Sequence, residues 1–254
     1  MSYFIDVQGT LIDDVDKKPI EGAIAFIERL GAQKIPYVVV TNNTKIPSRE
    51  FHKFLNDLGF CIPFDHYLDP FMALENSLHV KQIRSFGAEE FLSVMEKLGY
   101  TQNTQNPEAI VIASKKDFSA DEYASMIELA LSGAKVIGMH ATSIYAKDKR
   151  RYPGVGAILE MLRYATSKGY HVVGKPSPLF YETALKLLQA QGASVHFKDV
   201  TMISDDAIGD LLGAKALGMN TVLVLSGKCQ SEAEVLHVKH DLDAIISHIG
   251  AYEG

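Results

Sequence analysis

The stretch FIDVQGTLIDD, residues 4–14, decides how the chain is read. With Tyr3 it opens on YFIDV (3–7), a short apolar run of the kind a parallel sheet buries on both faces. Asp6 interrupts that run at its end, and Gly9 supplies a turn directly after it. A carboxylate at the tip of a buried strand, followed by a glycine turn, reads as a reaction centre. Its neighbour two positions on is Gln8, an amide where a second carboxylate would be easy to expect.

Working outward, strand-like runs alternate with helical patterns. IEGAIAFIERLGAQ (20–33) places Ile20, Ala23, Ile24, Ile27 and Leu30 on one helical face. PYVVVT (36–41) reads as a second buried strand. SREFHKFLNDLG (48–59) reads as a helix with Ser48 as its N-cap, Glu50 in its first turn and Gly59 at its end. QIRSF (82–86) reads as a third strand. Later, YHVV (170–173), VTMIS (200–204), TVLVL (221–225) and DAII (243–246) read as strands, with helices expected over 177–191 and 208–217. This alternation predicts an α/β fold with a doubly wound parallel sheet and right-handed crossovers.

The middle of the chain breaks the rhythm. AIVIA (109–113) and AKVIG (134–138) flank a long helix, and HATSIYAKDKRRYPGVG (140–156) is rich in turn residues. Residues 88–169 are therefore read as a second, smaller α/β unit inserted into one core made of residues 1–87 and 170–254.

Composition narrows the function classes. Net charge is −6 over 254 residues, from 25 basic and 31 acidic side chains, which argues against a nucleic-acid partner. The densest basic stretch, KDKRR (147–151), reads as a solvated loop. Cys61 and Cys229 stand far apart in no metal-like spacing and read as reduced thiols. No apolar run reaches membrane-spanning length, and no signal-peptide pattern opens the sequence. The expectation is a cytoplasmic protein with no membrane partner.

Ligands of open parallel sheets sit beyond the carboxyl ends of the strands, so the residues following each strand carry the chemistry. They are Asp6-Val7-Gln8-Gly9-Thr10, Thr41-Asn42-Asn43-Thr44, Gly174-Lys175-Pro176-Ser177 and Asp205-Asp206, with Asp210 beyond. Any one of these alone suits a turn or a helix cap. Together they provide a carboxylate, a hydroxyl, an ammonium and an acidic cluster, the parts of a phosphoryl-transfer site. A strand-end Asp can attack phosphorus and split one hard step into two. Mg²⁺ held by one or two carboxylates, here Asp6 and Asp205, would bridge them to phosphate oxygens. Thr41 and the N–H groups after it can donate to those oxygens, and Lys175 can offset transition-state charge.

In order along the chain, DxxGTL (6–11), VVVTNNT (38–44), VVGKPSP (172–178) and SDDAIGD with GAKALGM (204–219) resemble the haloacid dehalogenase superfamily of phosphatases. VTNN with GKPSP is similar to its NagD and 4-nitrophenylphosphatase-type branch, and PGVGA (153–157) is similar to a stretch near the end of that branch's caps. The resemblance implies a Rossmann-like core with an inserted C2-type α/β cap. It implies Asp6 as nucleophile, Thr41 with Asn42 and Asn43 as phosphate binders, and Lys175 as the clamp. It further implies a Mg²⁺ site from Asp6, the Gln8 backbone carbonyl, Asp205 and Asp210. Caps of this type often mediate dimers in that family, so a homodimer through the cap is one assembly the resemblance allows, and the oligomeric state stays open. Ser204 stands where the family often has Gly. Asp206 stands where several relatives carry Arg or Asn, which leaves open whether it adds charge near the metal or faces solvent.

Gln8 is the main departure, because the family usually carries Asp there as general acid and then base. An amide has no titrating proton to move. His140, Lys147 and Asp148 in the turn-rich stretch are weak substitutes, read chiefly as groups on the surface or behind the site. His66, His79, His171 and His196 are scattered without ligand spacing. The expected function is a Mg²⁺-dependent hydrolase of small phosphorylated metabolites working through an aspartyl-phosphate, slow because of Gln8. The alternatives are a catalytically impaired phospho-ligand-binding protein and a phosphotransferase with a long-lived aspartyl-phosphate.

Overall fold

The computed structural model describes residues 1–147, 150–192 and 194–253. Its strands are β1 (Ser2–Asp6), β2 (Tyr37–Val40), β3 (Tyr67–Leu68), β4 (Gln82–Phe86), β5 (Thr101–Gln102), β6 (Ala109–Ile112), β7 (Lys135–Gly138), β8 (Ile144–Lys147), β9 (Arg150–Pro153), β10 (Tyr170–Val172), β11 (Val200–Ser204), β12 (Asn220–Val224) and β13 (Ala244–Ile246). The α-helices are α1 (Ala23–Ala32), α2 (Ser48–Asp57), α3 (Pro70–Ser77), α4 (Glu89–Lys97), α5 (Ala120–Leu131), α6 (Val155–Thr166), α7 (Pro178–Ala190) and α8 (Leu212–Ala216). The chain divides into two compact units: Met1–Thr41 with Ser48–Leu68 and Tyr181–Gly254, and Asn42–Pro47 with Asp69–Phe180.

The first unit is built on a six-stranded sheet in the order β13-β12-β11-β1-β2-β3, parallel throughout. From β1 the chain steps one way to β2 and β3. The later strands start beside β1 with β11 and step the other way, so the topological switch point lies between β1 and β11. Every residue of β1, β2 and β11 is buried, which explains why these strands read as continuous apolar runs. Below the carboxyl edge, Phe4 stacks on Tyr181 of α7 with ring centroids 6.0 Å apart, and both rings are fully buried. Burial of such a ring stabilises the fold by about 1.5–3 kcal/mol.

The second unit has its own parallel sheet, β10-β7-β6-β4-β5, and an antiparallel pair, β8-β9. Ile110, Ile112 and Val136 of the sheet pack with Met126 and Leu129 of α5 and Ile158, Leu159 and Leu162 of α6. Local chemistry sets the helix starts. Asp69 accepts the Met72 N–H at 3.1 Å with Pro70 as the first helical residue of α3. Ser119 and Glu122 form a reciprocal capping box on α5.

Three expectations are corrected here. QIRSF and YHVV, read as core strands, pair with β6 and β7 in the second sheet, so the inserted unit starts near residue 69 and ends near 180 rather than spanning 88–169. Their composition suits any buried parallel sheet, and only long-range pairing decides which one. The third core strand is the two-residue β3, too short to show in the sequence. KDKRR is not a simple loop, since Lys147 ends β8 and Arg150 and Arg151 begin β9; Asp148 and Lys149 lie outside the described residues.

Candidate active site

The carboxyl edge of the first sheet gathers the acids. Asp6 is the last residue of β1 and pairs in register with Val40, so Thr41 follows at the same level on β2. Asp205 directly follows β11, on the other side of β1. Asp6 and Asp205 are both nearly inaccessible, at 4% and 3% exposure. The Thr10 hydroxyl links them, donating to Asp6 Oδ2 at 3.4 Å while accepting the Asp205 N–H at 3.1 Å.

The Gly9 turn exists to let the Asp205 carboxylate in. Gly9 has φ +75°, and a Cβ there would overlap Asp205 Oδ2. On the other side a Cβ at Gly227 would overlap the same carboxylate. The Ser226 hydroxyl donates to the Gly9 carbonyl at 2.7 Å, and the Lys228 N–H donates to Asp205 Oδ2 at 2.6 Å. Gly9→Ala therefore combines left-handed strain with loss of the carboxylate's seat. We expect it to cost about 1–3 kcal/mol or more, read as a lower urea midpoint at unchanged slope.

Burial, reinforced by the neighbouring Asp6 charge, pushes the Asp205 carboxyl up to about 8. A pair of buried acids so placed repel one another, and a hard cation between them would remove the cost. Mg²⁺ is satisfied by one or two carboxylates with carbonyl and water oxygens, so this pair fits it. Among the described residues no group of three or more Asp, Glu, His or Cys side chains is spaced to hold a metal ion. Asp210, expected as a further ligand, accepts the Ser204 hydroxyl at 2.8 Å. Ser204 Oγ in turn accepts the Asp206 N–H at 3.1 Å, which gives the departure from Gly at 204 a positioning role.

The raised Asp205 group has a stability consequence. A carboxyl with a folded pKa above its unfolded value contributes stability that is full below the unfolded pKa and is lost as pH rises through the folded one. In EDTA the melting temperature should fall as pH rises from about 4 to about 8. Asp205→Asn should flatten that fall, and Mg²⁺ should oppose it, both measurable by thermal melts.

The remaining expected residues are placed as follows. Gln8 is half-buried, and its Oε1 accepts the Thr41 hydroxyl at 2.8 Å. The Thr41 N–H is held by the Leu68 carbonyl at 3.1 Å. In the second unit Asn42 Oδ1 accepts the Lys175 N–H at 2.9 Å, and Ala141 N–H reaches the Lys175 carbonyl at 3.2 Å. Lys175 thus follows the second sheet, not the core sheet, and is buried. Asn43, expected to bind phosphate, closes its own turn, accepting the Lys45 and Ile46 N–H groups and donating to the Ile46 carbonyl. His140 is buried, with Nε2 3.1 Å from Ser114 Oγ; the Lys147 side chain and Asp148 lie outside the described residues. The second unit also contains a cavity of about 930 Å³ with Arg84, Glu96, Lys115 and Glu122 in its lining. Size does not make it the reactive site: Lys115 and Glu122 neutralise one another at 2.6 Å, whereas the buried like charges are at Asp6 and Asp205.

Sequence reasoning placed Thr10 at the strand end without giving it a role, and missed the Ser226–Lys228 loop. TVLVL is a core strand, and its following residues are at the same edge as the other three core-strand ends. Listing them with those would have found the loop.

Residues 3–101 match a family model described as haloacid dehalogenase-like hydrolase, and residues 172–251 match a second, HAD-hydrolase-like model. The chain is 30% identical over 234 residues to haloacid dehalogenase-like hydrolase domain-containing protein 2 of Mus musculus, covering 92% of this chain and 87% of that one. It is 26% identical to dihydroxyacetone phosphatase of Corynebacterium glutamicum, over 92% and 84% of the two chains. Its fold is similar to that of p-nitrophenyl phosphatase from Archaeoglobus fulgidus, with TM-score 0.83, 22% identity and coverage of 98% and 96%. It is also similar to that of NagD from E. coli K-12, with TM-score 0.79, 20% identity and coverage of 99% and 98%.

Proposed function

The chain belongs to the haloacid dehalogenase-like hydrolases, and from that premise we propose that it is a Mg²⁺-dependent phosphomonoester hydrolase acting on small phosphorylated metabolites through Asp6. The observation that carries this reading is the pair of buried carboxylates, Asp6 and Asp205, joined through Thr10 at the switch point of the sheet. Like charges are costly to bury without a compensating cation, and a nucleophile beside a cation is what phosphoryl transfer from a dianion requires.

In this reading Asp6 attacks phosphorus, the bond to the leaving oxygen breaks, and an aspartyl-phosphate forms. Water then attacks that phosphorus and releases inorganic phosphate, restoring Asp6. Mg²⁺, when bound by Asp6, Asp205 and the Gln8 carbonyl, would neutralise charge shared between carboxylate and phosphate oxygens. Thr41 and Asn42 donate to phosphoryl oxygens, and Lys175 is the cation for the transition state, the roles that family resemblance assigns them. Ser204 and Asp210 brace the turn that presents Asp205. Gln8 has no proton to give the leaving oxygen or to accept from water, so both steps proceed without general acid–base help and turnover is slow.

The test is 4-nitrophenyl phosphate turnover with Mg²⁺ and with EDTA, followed by intact mass of the quenched protein. The reading requires Mg²⁺-dependent release of nitrophenolate and a phosphoryl adduct that is absent from Asp6→Asn. Gln8 favours one second reading, a protein that binds phosphorylated ligands with little turnover. Ligand-induced thermal stabilisation with neither adduct nor product would select it.

A further inference from the structure

The structure assigns Lys228 a positioning role: through its N–H on Asp205 and its ammonium on Asp206, it straps the Ser226–Lys228 loop over the acid pair and so sets the affinity for the cation. The inference rests on the proposed cation site at Asp6 and Asp205.

Four contacts make the strap. The Ser226 hydroxyl fixes the loop to the Gly9 carbonyl. Gly227 lies against the Asp205 carboxylate so closely that no side chain fits there. The Lys228 N–H donates to Asp205 Oδ2 at 2.6 Å. The Lys228 ammonium pairs with the Asp206 carboxylate, which is itself tied down by accepting the Gly209 N–H at 2.7 Å. Asp205 is thereby held from both sides: its own N–H by Thr10, and its carboxylate by the loop.

The side chain of Lys228 is about half exposed, 49%, while that of Asp206 is 17% exposed. An ion pair at such a boundary contributes little to global stability. Its effect here is local, because it holds the N–H that orients a carboxylate. Burial alone would lower the Lys228 pKa, yet Asp206, with Asp210 and Asp205, outweighs it and keeps the ammonium charged. The strap therefore also answers what Asp206 does: it anchors a lysine instead of facing solvent. Partners that orient metal-binding carboxylates typically change metal affinity about 10–100-fold when removed.

The test is Mg²⁺ alone, titrated calorimetrically into the full chain, alongside melts with and without Mg²⁺. Lys228→Met/Asp206→Asn leaves net charge unchanged, and Asn at 206 can still cap Gly209. We expect its Mg²⁺ Kd to rise about tenfold or more. Lys228→Met alone should also weaken Mg²⁺, although loss of a positive charge beside the acids would by itself tighten it. Lys228→Arg should restore binding to within about twofold, since Arg keeps the ion pair. Tighter Mg²⁺ binding in Lys228→Met, or a double-variant Kd within about twofold of the unaltered protein, overturns the strap while leaving the cation site standing. If the unaltered protein binds no Mg²⁺, or binds it as well after Asp205→Asn, the cation site itself fails and the strap falls with it.

Discussion

Asp6→Asn should reduce phosphomonoester turnover by on the order of 10³-fold or more, because it removes the atom that forms the bond to phosphorus. An amide at position 6 is a poor nucleophile and a weaker cation ligand, so the loss should appear in kcat as well as in Mg²⁺ dependence. The loss will not come from misfolding. The Asp6 charge, after burial, helps hold the Asp205 carboxyl up, so neutralising it relieves repulsion between two buried acids. The variant should melt at the same temperature or higher in EDTA, and intact mass should show no phosphoryl adduct. Unchanged turnover in Asp6→Asn would remove the proposed mechanism.

The second large effect runs the other way. Gln8→Asp should raise kcat by about 10²–10⁴-fold, the usual worth of general acid–base catalysis. The gain should be greater for an alkyl phosphate such as glycerol phosphate than for 4-nitrophenyl phosphate, whose leaving group needs little protonation. The pH profile should also change, acquiring an alkaline limb where the new acid loses its proton. Gln8 Oε1 accepts the Thr41 hydroxyl at 2.8 Å, and the shorter Asp gives up that contact. Gln8→Ala separates the two effects, since it loses the contact without supplying a carboxylate; it should leave kcat nearly unchanged. Equal rates in Gln8→Asp and Gln8→Ala would show that proton transfer at residue 8 does not limit this protein.

Much of this site was legible before folding, for an identifiable reason. A parallel sheet buried on both faces writes its strands as continuous apolar runs, and its reactive groups follow those runs directly in sequence. YFIDV, YVVVT and VTMIS therefore announced Asp6, Thr41 and Asp205, and the glycine turn after Asp6 announced close backbone approach. The identity of residue 8 is likewise a fact of sequence, and the chemical consequence of an amide there needs no coordinates.

Other features depended on contacts between residues far apart in the chain. β4 and β10 have the same composition as core strands, yet their partners are β6 and β7, because strand pairing is decided by which neighbours bury them. Family resemblance reads Asp210 as a ligand, and the fold adds a contact that the sequence does not record, the Ser204 hydroxyl donating to its carboxylate. Asn43, expected to bind phosphate, also closes its own turn by accepting the Lys45 and Ile46 N–H groups, a role the motif by itself does not show. The sequence by itself determined which groups stand at the candidate site: a carboxylate at 6, another at 205 and no titrating group at 8. Only the tertiary structure decided how Asp205 is held, between Thr10 and the Ser226–Lys228 loop, because Thr10 meets Asp205 across 195 positions and Ser226 meets Gly9 across 217, and no local pattern records such contacts.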